Sequence, residues 1–175
     1  MLPGRAKFLL DFGDTSKPVG AAFNNPPISS SEGMEANTKQ WRNAEIPAAN
    51  GHGTARSIAK LYEILANGGS RDGIHVLSPE TIEKGRQTQS DGKDLVLGGM
   101  RTRFGLGFML GTENVSMGPN PNAFGHGGAG GSLGFSDPDN NISLGFVMNQ
   151  MHPGITAWKT ATDVAESVYK TLSLN

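Results

Sequence analysis

Cysteine is absent from this 175-residue chain. That excludes a disulfide framework, a thiolate nucleophile and any Cys-based metal site, and it leaves the redox compartment unread. Charge of one sign is also missing. Lys and Arg number 15 against 16 Asp and Glu, for a formal net charge of −1. This balance makes no electrostatic case for nucleic acid or an acidic membrane as partner. No apolar run approaches the roughly 20 residues of a membrane span. Met1-Leu2-Pro3-Gly4-Arg5-Ala6-Lys7-Phe8 lacks the long apolar stretch of a signal peptide. A soluble cytoplasmic protein is therefore expected. Apolar residues make up only 36% of the chain, below the globular average. The length still allows one domain with a real core.

Glycine is abundant, 25 of 175 residues, which points to turns and close backbone contacts. Residues 1–50 read as largely irregular. Phe8-Leu9-Leu10-Asp11-Phe12 suggests one short element, and Asn24-Asn25-Pro26-Pro27 and Ser29-Ser30-Ser31 carry turn chemistry. Trp41 is a candidate buried anchor. The spacing predicts a helix over 54–67, capped by Thr54, stopped by Gly68-Gly69, with Ile58, Leu61, Tyr62 and Leu65 as its apolar stripe. Ser78-Pro79 opens a second helix running to about Gln87. Residues 90–99 read as a loop. From residue 103 the period changes, and an antiparallel sheet is expected over 103–149. It includes Phe104 to Leu110 as a strand, Ala123 to Gly128 as another, and a hairpin of Ser132–Ser136 with Ile142–Asn149. One hairpin face, Ser132, Gly134, Ser136, Ser143, Gly145 and Val147, is mostly small, so a helix or ligand can approach it closely. A final helix over 156–172 carries Trp158, Ala161, Ala165, Val168 and Leu172 on one stripe. The order of elements predicts an α+β fold, with a sheet of three to four strands flanked by helices.

The chain centres on Gly125-His126-Gly127-Gly128-Ala129-Gly130-Gly131-Ser132-Leu133-Gly134. Gly125-x-Gly127-x-x-Gly130 matches a dinucleotide loop, but that loop must open a helix whose N-terminus holds the pyrophosphate. Here strand and turn residues follow. Gly130-x-Ser132-x-Gly134 matches a nucleophile elbow, yet an elbow serine sits between strand and helix, and Ser132 begins a hairpin. A Ser-x-x-Lys pair on a helix places both side chains on one face, and a desolvated lysine can take the serine proton. Ser57–Lys60, Ser90–Lys93 and Ser167–Lys170 all fit, which shows how readily the bare pattern arises. Ser57–Lys60 is the best placed, with a solvated polar flank as the favoured reading. His52, His75, His126 and His152 are not at metal-ligand spacing, so neither metal nor cofactor is expected. His52 reads as a surface residue. His126 stands on a glycine-rich strand edge whose N–H groups suit an oxyanion.

The run from His126 to Pro138 resembles the third active-site motif of the serine β-lactamase and penicillin-binding-protein-like family. It is most similar to the class C β-lactamase and family VIII esterase branch. The resemblance extends to Ile46–Ser57 and Thr102–Leu110, and covers about residues 20–172. It implies that His126 stands at the family's cationic or polar triplet position. Gly127 and Gly128 would complete the triplet, with Gly130 beside them in the substrate cleft. The Ala129 N–H would be one of two oxyanion donors, and Ser132 an ordinary hairpin residue. The family's catalytic Ser-x-x-Lys and Tyr-x-Asn-type motifs have no counterpart. Tyr62 lies in Tyr-Glu-Ile and Tyr169 in Tyr-Lys-Thr. Residues 1–175 are thus expected to form a single, incomplete domain, the C-terminal part of such a hydrolase, inactive alone. Ser57 and Lys60 remain the alternative catalytic pair. The implied ligand is a small ester, amide or β-lactam-like molecule. The alternative function is a non-catalytic module that self-assembles through the edge of strand 142–149, covered by a second copy or by segment 1–20.

Overall fold

A computed structural model describes residues 13–30, 33–152 and 159–174. The expected element at Phe8–Phe12 and the helix residue Trp158 lie outside them. The chain divides into two compact units, residues 1–53 with 94–100, and residues 54–93 with 101–175.

The first unit is built from short pieces: α1 (Pro18–Phe23), β1 (Ser29–Ser30) paired with β2 (Gly33–Met34), a 3₁₀ turn at Glu35–Asn37, and α2 (Lys39–Asn43). Thr38 caps α2 by accepting from the Trp41 N–H at 3.1 Å. Trp41 is buried as expected, and Asn50 Nδ2 donates to its carbonyl at 3.1 Å. His52 is exposed, with its ring nitrogens 2.8 Å from the Asn50 carbonyl and 3.2 Å from that of Ala36.

The second unit opens with α3 (Ala55–Ala66), and the expected cap is present. Thr54 Oγ1 accepts from the Ser57 N–H at 3.2 Å, and Ser57 Oγ accepts from the Thr54 N–H at 2.8 Å, a reciprocal capping box. The hairpin β3 (Ser70–Arg71) and β4 (Ile74–His75) leads to α4 (Pro79–Arg86). Ser78 caps α4 as the sequence predicts.

Six strands follow, more than the three or four expected: β5 (Ser90–Asp94), β6 (Met100–Phe104), β7 (Met109–Leu110), β8 (Phe124–Gly127), β9 (Leu133–Asp137) and β10 (Ile142–Phe146). They form one sheet in the order β10-β9-β8-β7-β6-β5, a simple meander. Two misreadings explain the difference. Residues 90–94, part of the loop expected over 90–99, form an exposed edge strand, where the lack of burial leaves no apolar signal. The run 104–110 is not one strand but the end of β6, a turn, and β7. The hairpin strand also stops at Phe146 rather than Asn149.

Register sets the two faces. Leu144 stands opposite Phe135 and Gly145 opposite Gly134, and alternate residues point to opposite faces. The small face takes α3, as its composition predicts. A Cβ on Gly134 would lie 2.4 Å from Tyr62 Cε2 and 2.7 Å from Ile58 Cγ2. One on Gly145 would lie 2.3 Å from the Ala55 carbonyl oxygen. The contact face of α3 is therefore Ala55, Ile58, Ala59 and Tyr62. Leu61, expected in the stripe, is 56% exposed. Leu65 joins Ile82 of α4 and Leu110 and Phe124 of the sheet in one buried cluster.

The opposite face takes α5 (Lys159–Thr171), where Ala161, Ala165 and Tyr169 are buried. Tyr169 rather than Val168 completes the buried stripe, and Leu172 is 55% exposed. The Tyr169 ring stacks on Phe135 at 6.5 Å between centroids, and its hydroxyl donates to the buried Asp137 carboxylate. Asp137 also accepts from Asn120 Nδ2 at 2.7 Å and from Asn140 Nδ2 at 2.8 Å, so its buried oxygens are satisfied. No helix among the described residues is long and apolar enough to cross a membrane.

Gly145→Val is expected to destabilise the unit by about 3 kcal/mol, the upper end of the overpacking range. The obstructing atom is backbone and has no rotamer to escape into. Urea unfolding followed by circular dichroism measures this.

The two tyrosines give a second prediction. Burial pushes the Tyr62 hydroxyl up to about 12, and burial together with the bond to Asp137 lifts Tyr169 above its usual range. The folded state thus favours both protonated forms. Their contribution to stability is complete below about pH 10, the unfolded value, and is lost as pH rises towards the folded one. Alkaline titration of tyrosinate absorbance is expected to show both groups un-ionised at about pH 10 in the native protein; a native half-point there contradicts this.

Candidate functional site

The glycine-rich stretch spans the end of β8, a tight turn and the start of β9. His126 pairs with Gly134 and Gly127 with Leu133. The Gly128 N–H donates to the Ser132 carbonyl at 2.8 Å, and the Gly131 N–H to the Gly128 carbonyl at 3.1 Å. Gly130 and Gly131 have φ of +84° and +112°, backbone that L side chains rarely adopt. The strand-turn-strand path excludes the helix a dinucleotide loop requires.

Ser132 points into this turn. A Cβ on Gly128 would lie 2.2 Å from Ser132 Oγ, so the hydroxyl fills the space that glycine leaves. It is placed as a hairpin residue, without the strand-to-helix bend of a nucleophile elbow.

His126 is exposed between buried neighbours Gly125 and Gly127. Its Nδ1 lies 2.6 Å from the Gly127 carbonyl. A carbonyl only accepts, so Nδ1 carries the hydrogen in this contact and neutral His126 presents an Nε2 lone pair. The Phe104 ring lies 5.8 Å away, tilted by 40°, limiting how the imidazole can turn. Ala129 is exposed at the turn's tip, and among the described residues no protein acceptor takes its N–H. An N–H without a protein acceptor among the described residues can receive an oxyanion, and an imidazole lone pair can receive a proton.

Ser57 and Lys60 both lie on α3. Ser57 Oγ is occupied by the capping box and donates to the Thr54 carbonyl at 2.9 Å. No hydrogen bond joins it to Lys60 among the described residues, and both side chains are exposed. A serine in a cap with an exposed lysine lacks the desolvation that would make that lysine a base. Among the described residues no group of three or more His, Asp or Glu is placed to hold a metal ion.

Two neighbours of the turn were not legible in the sequence. The His152 N–H donates to the Gly130 carbonyl at 2.9 Å, and Met151 lies flat on Gly130. A Cβ there would meet Met151 Cβ at 2.8 Å and its Cγ and Cε at 2.7 Å. This clamp joins loops about twenty residues apart, and no local pattern announces it.

The β-lactamase family model matches residues 11–166. The chain belongs to the β-lactamase family. It is 40% identical over 112 residues to the esterase/β-lactamase LipL of Mycobacterium tuberculosis (strain ATCC 25618 / H37Rv), a match covering 62% of this chain and 24% of LipL. A family VIII carboxylesterase has 38% identity and a TM-score of 0.77, with 87% of this chain and 40% of that one covered. A penicillin-binding-protein homologue from Caulobacter crescentus has 37% identity and a TM-score of 0.76, over the same shares. EstA from Arthrobacter nitroguajacolicus Rue61a has 27% identity and a TM-score of 0.73, covering 91% and 42%. The chain thus spans about two fifths of the solved relatives and about a quarter of LipL. The described β-lactamase-family fold is the α+β arrangement of helices on both faces of an antiparallel sheet.

Gly130→Ala is expected to lose about 1–2 kcal/mol from its left-handed backbone, with further loss from overlap with Met151. His126→Ala, at an exposed side chain, should stay within about 0.5 kcal/mol of wild type. Paired chemical denaturation of the two variants separates loop strain from imidazole removal.

Proposed function

We propose that this chain forms one wall of the acyl-transfer site of a β-lactamase-like serine hydrolase acting on an ester or amide. The observation that carries this is the Ala129 N–H, which no acceptor among the described residues takes, at the tip of a turn held by Gly130, Gly131 and the His152 N–H. In acyl transfer a serine attacks the carbonyl and negative charge collects on oxygen. A donor already fixed in place stabilises that charge without reorganising, and one such donor is worth roughly 10²–10³ in rate. Ala129 fills this role, with His126 Nε2 accepting a hydrogen bond or proton from the reacting groups. Gly127, Gly128 and Gly130 supply the substrate-side backbone of this wall, with the Ser132 hydroxyl and Met151 packed against Gly128 and Gly130.

The nucleophile, its base and the second donor are supplied from outside residues 1–175. Ser57–Lys60 is unsuited because the cap holds the hydroxyl and the lysine is exposed. The relatives named as an esterase/β-lactamase and as a family VIII carboxylesterase support an ester, amide or β-lactam-like substrate. The reading requires no metal or cofactor.

A second reading has one observation behind it. Among the described residues β10 ends the sheet. Ile142 and Leu144 of that strand are already buried within the unit, so what this edge offers another strand is its backbone N–H and C=O groups. A module that self-associates there would sediment as a dimer.

The chain is expected to leave nitrocefin and p-nitrophenyl esters unhydrolysed, and to show no serine labelled by a fluorophosphonate. Turnover abolished by Ser57→Ala would instead make Ser57–Lys60 the catalytic pair.

A further inference from the structure

The side chain of Met151 is not among the buried core residues, yet it packs closely on one glycine. Its Cβ, Cγ and Cε all lie within 2.8 Å of the place a Gly130 Cβ would take. The thioether chain therefore curls over Gly130, the residue that follows Ala129 in the sequence. It stays there because the next residue is anchored by its N–H to the Gly130 carbonyl at 2.9 Å. Even so, Met151 is 53% exposed. One side of the chain covers the glycine and the other faces out.

Resting on the reading of Ala129 as an oxyanion donor, we propose that Met151 is a specificity-determining residue of that site. It forms an apolar lip that takes the unbranched aliphatic part of an acyl group. Three features of the geometry lead there. The polar groups, Ala129 N–H and His126 Nε2, sit at the turn and receive the oxygen end of a ligand. Met151 covers Gly130, the residue after Ala129, with hydrocarbon and sulfur, so a chain lying over it leaves water without burying a polar side chain. A thioether with three rotatable bonds follows the shape of a flexible chain, where a β-branched residue would not. Glycine at 130 is what lets Met151 lie this low, since any Cβ there would displace it.

The test uses the chain itself and simple carboxylates, whose oxygens mimic the oxyanion. Protein labelled with ¹⁵N and with ¹³C at the methionine methyls is titrated with acetate and with hexanoate. The Met151 resonance is identified by its loss in Met151→Ala. A methylene fully removed from water is worth roughly fourfold in affinity. A lip open on one side recovers part of this, so hexanoate is expected to bind about fivefold to tenfold more tightly than acetate. Both should shift the Ala129 amide, and hexanoate alone the Met151 methyl. Met151→Ala should bring the two affinities within about twofold of each other without weakening acetate, and Met151→Leu should keep the preference.

Each outcome decides. An Ala129 shift with both ligands, but an unmoved Met151 methyl or a preference that survives Met151→Ala, overturns the lip and leaves the oxyanion wall standing. No Ala129 shift with either ligand overturns the wall, and the lip with it. Circular dichroism of both variants confirms that a changed preference is not lost folding.

Discussion

Two missing side chains position the rest of the second unit. Gly134 and Gly145 stand opposite each other on β9 and β10, and α3 rests on the space they leave. Because a Cβ at Gly145 would run into the Ala55 carbonyl, the helix lies against the hairpin at backbone distance. With α3 seated, Leu65 reaches Ile82, Leu110 and Phe124, and the sheet gains one buried face. The other face closes through Phe135, Tyr169 and Asp137. The hairpin between these layers is buried along all of β9. The glycine turn at its start is thus carried by a rigid element, which a fixed hydrogen-bond donor requires.

The same residue type serves two purposes in neighbouring positions. At Gly134 and Gly145 the need is room for a helix. At Gly130 and Gly131 it is left-handed backbone. The first pair builds the platform and the second shapes the turn that presents Ala129. His126 is held by different means, a bond to its neighbour's carbonyl and the Phe104 ring beside it.

Much of this was legible in the sequence because the signals were local. Thr54 and Ser78 announced their caps, and the alternation through Ser132–Val147 correctly assigned the small face to a close partner. Other features depend on long-range contacts. Leu61 belongs to the helical period of α3, but the sheet covers only one flank, leaving it in solvent. Ser90–Asp94 has no apolar alternation, since an exposed edge strand buries neither face. Tyr169 outranks Val168 because Asp137 awaits its hydroxyl, a polar partner that hydrophobic spacing does not register. At the site, the family motif pointed to His126 and Ala129, whereas Met151 and His152 join the turn only once the chain has folded back after β10.

The central claim is that the turn's tip is an oxyanion-binding wall. A crystal structure of the chain with methylphosphonate, a tetrahedral anion resembling the intermediate of acyl transfer, tests it most directly. The account predicts a phosphonate oxygen about 2.7–3.1 Å from the Ala129 nitrogen, with a second oxygen towards His126 Nε2. A phosphonate bound elsewhere, with the Ala129 N–H turned to a protein acceptor, would contradict it.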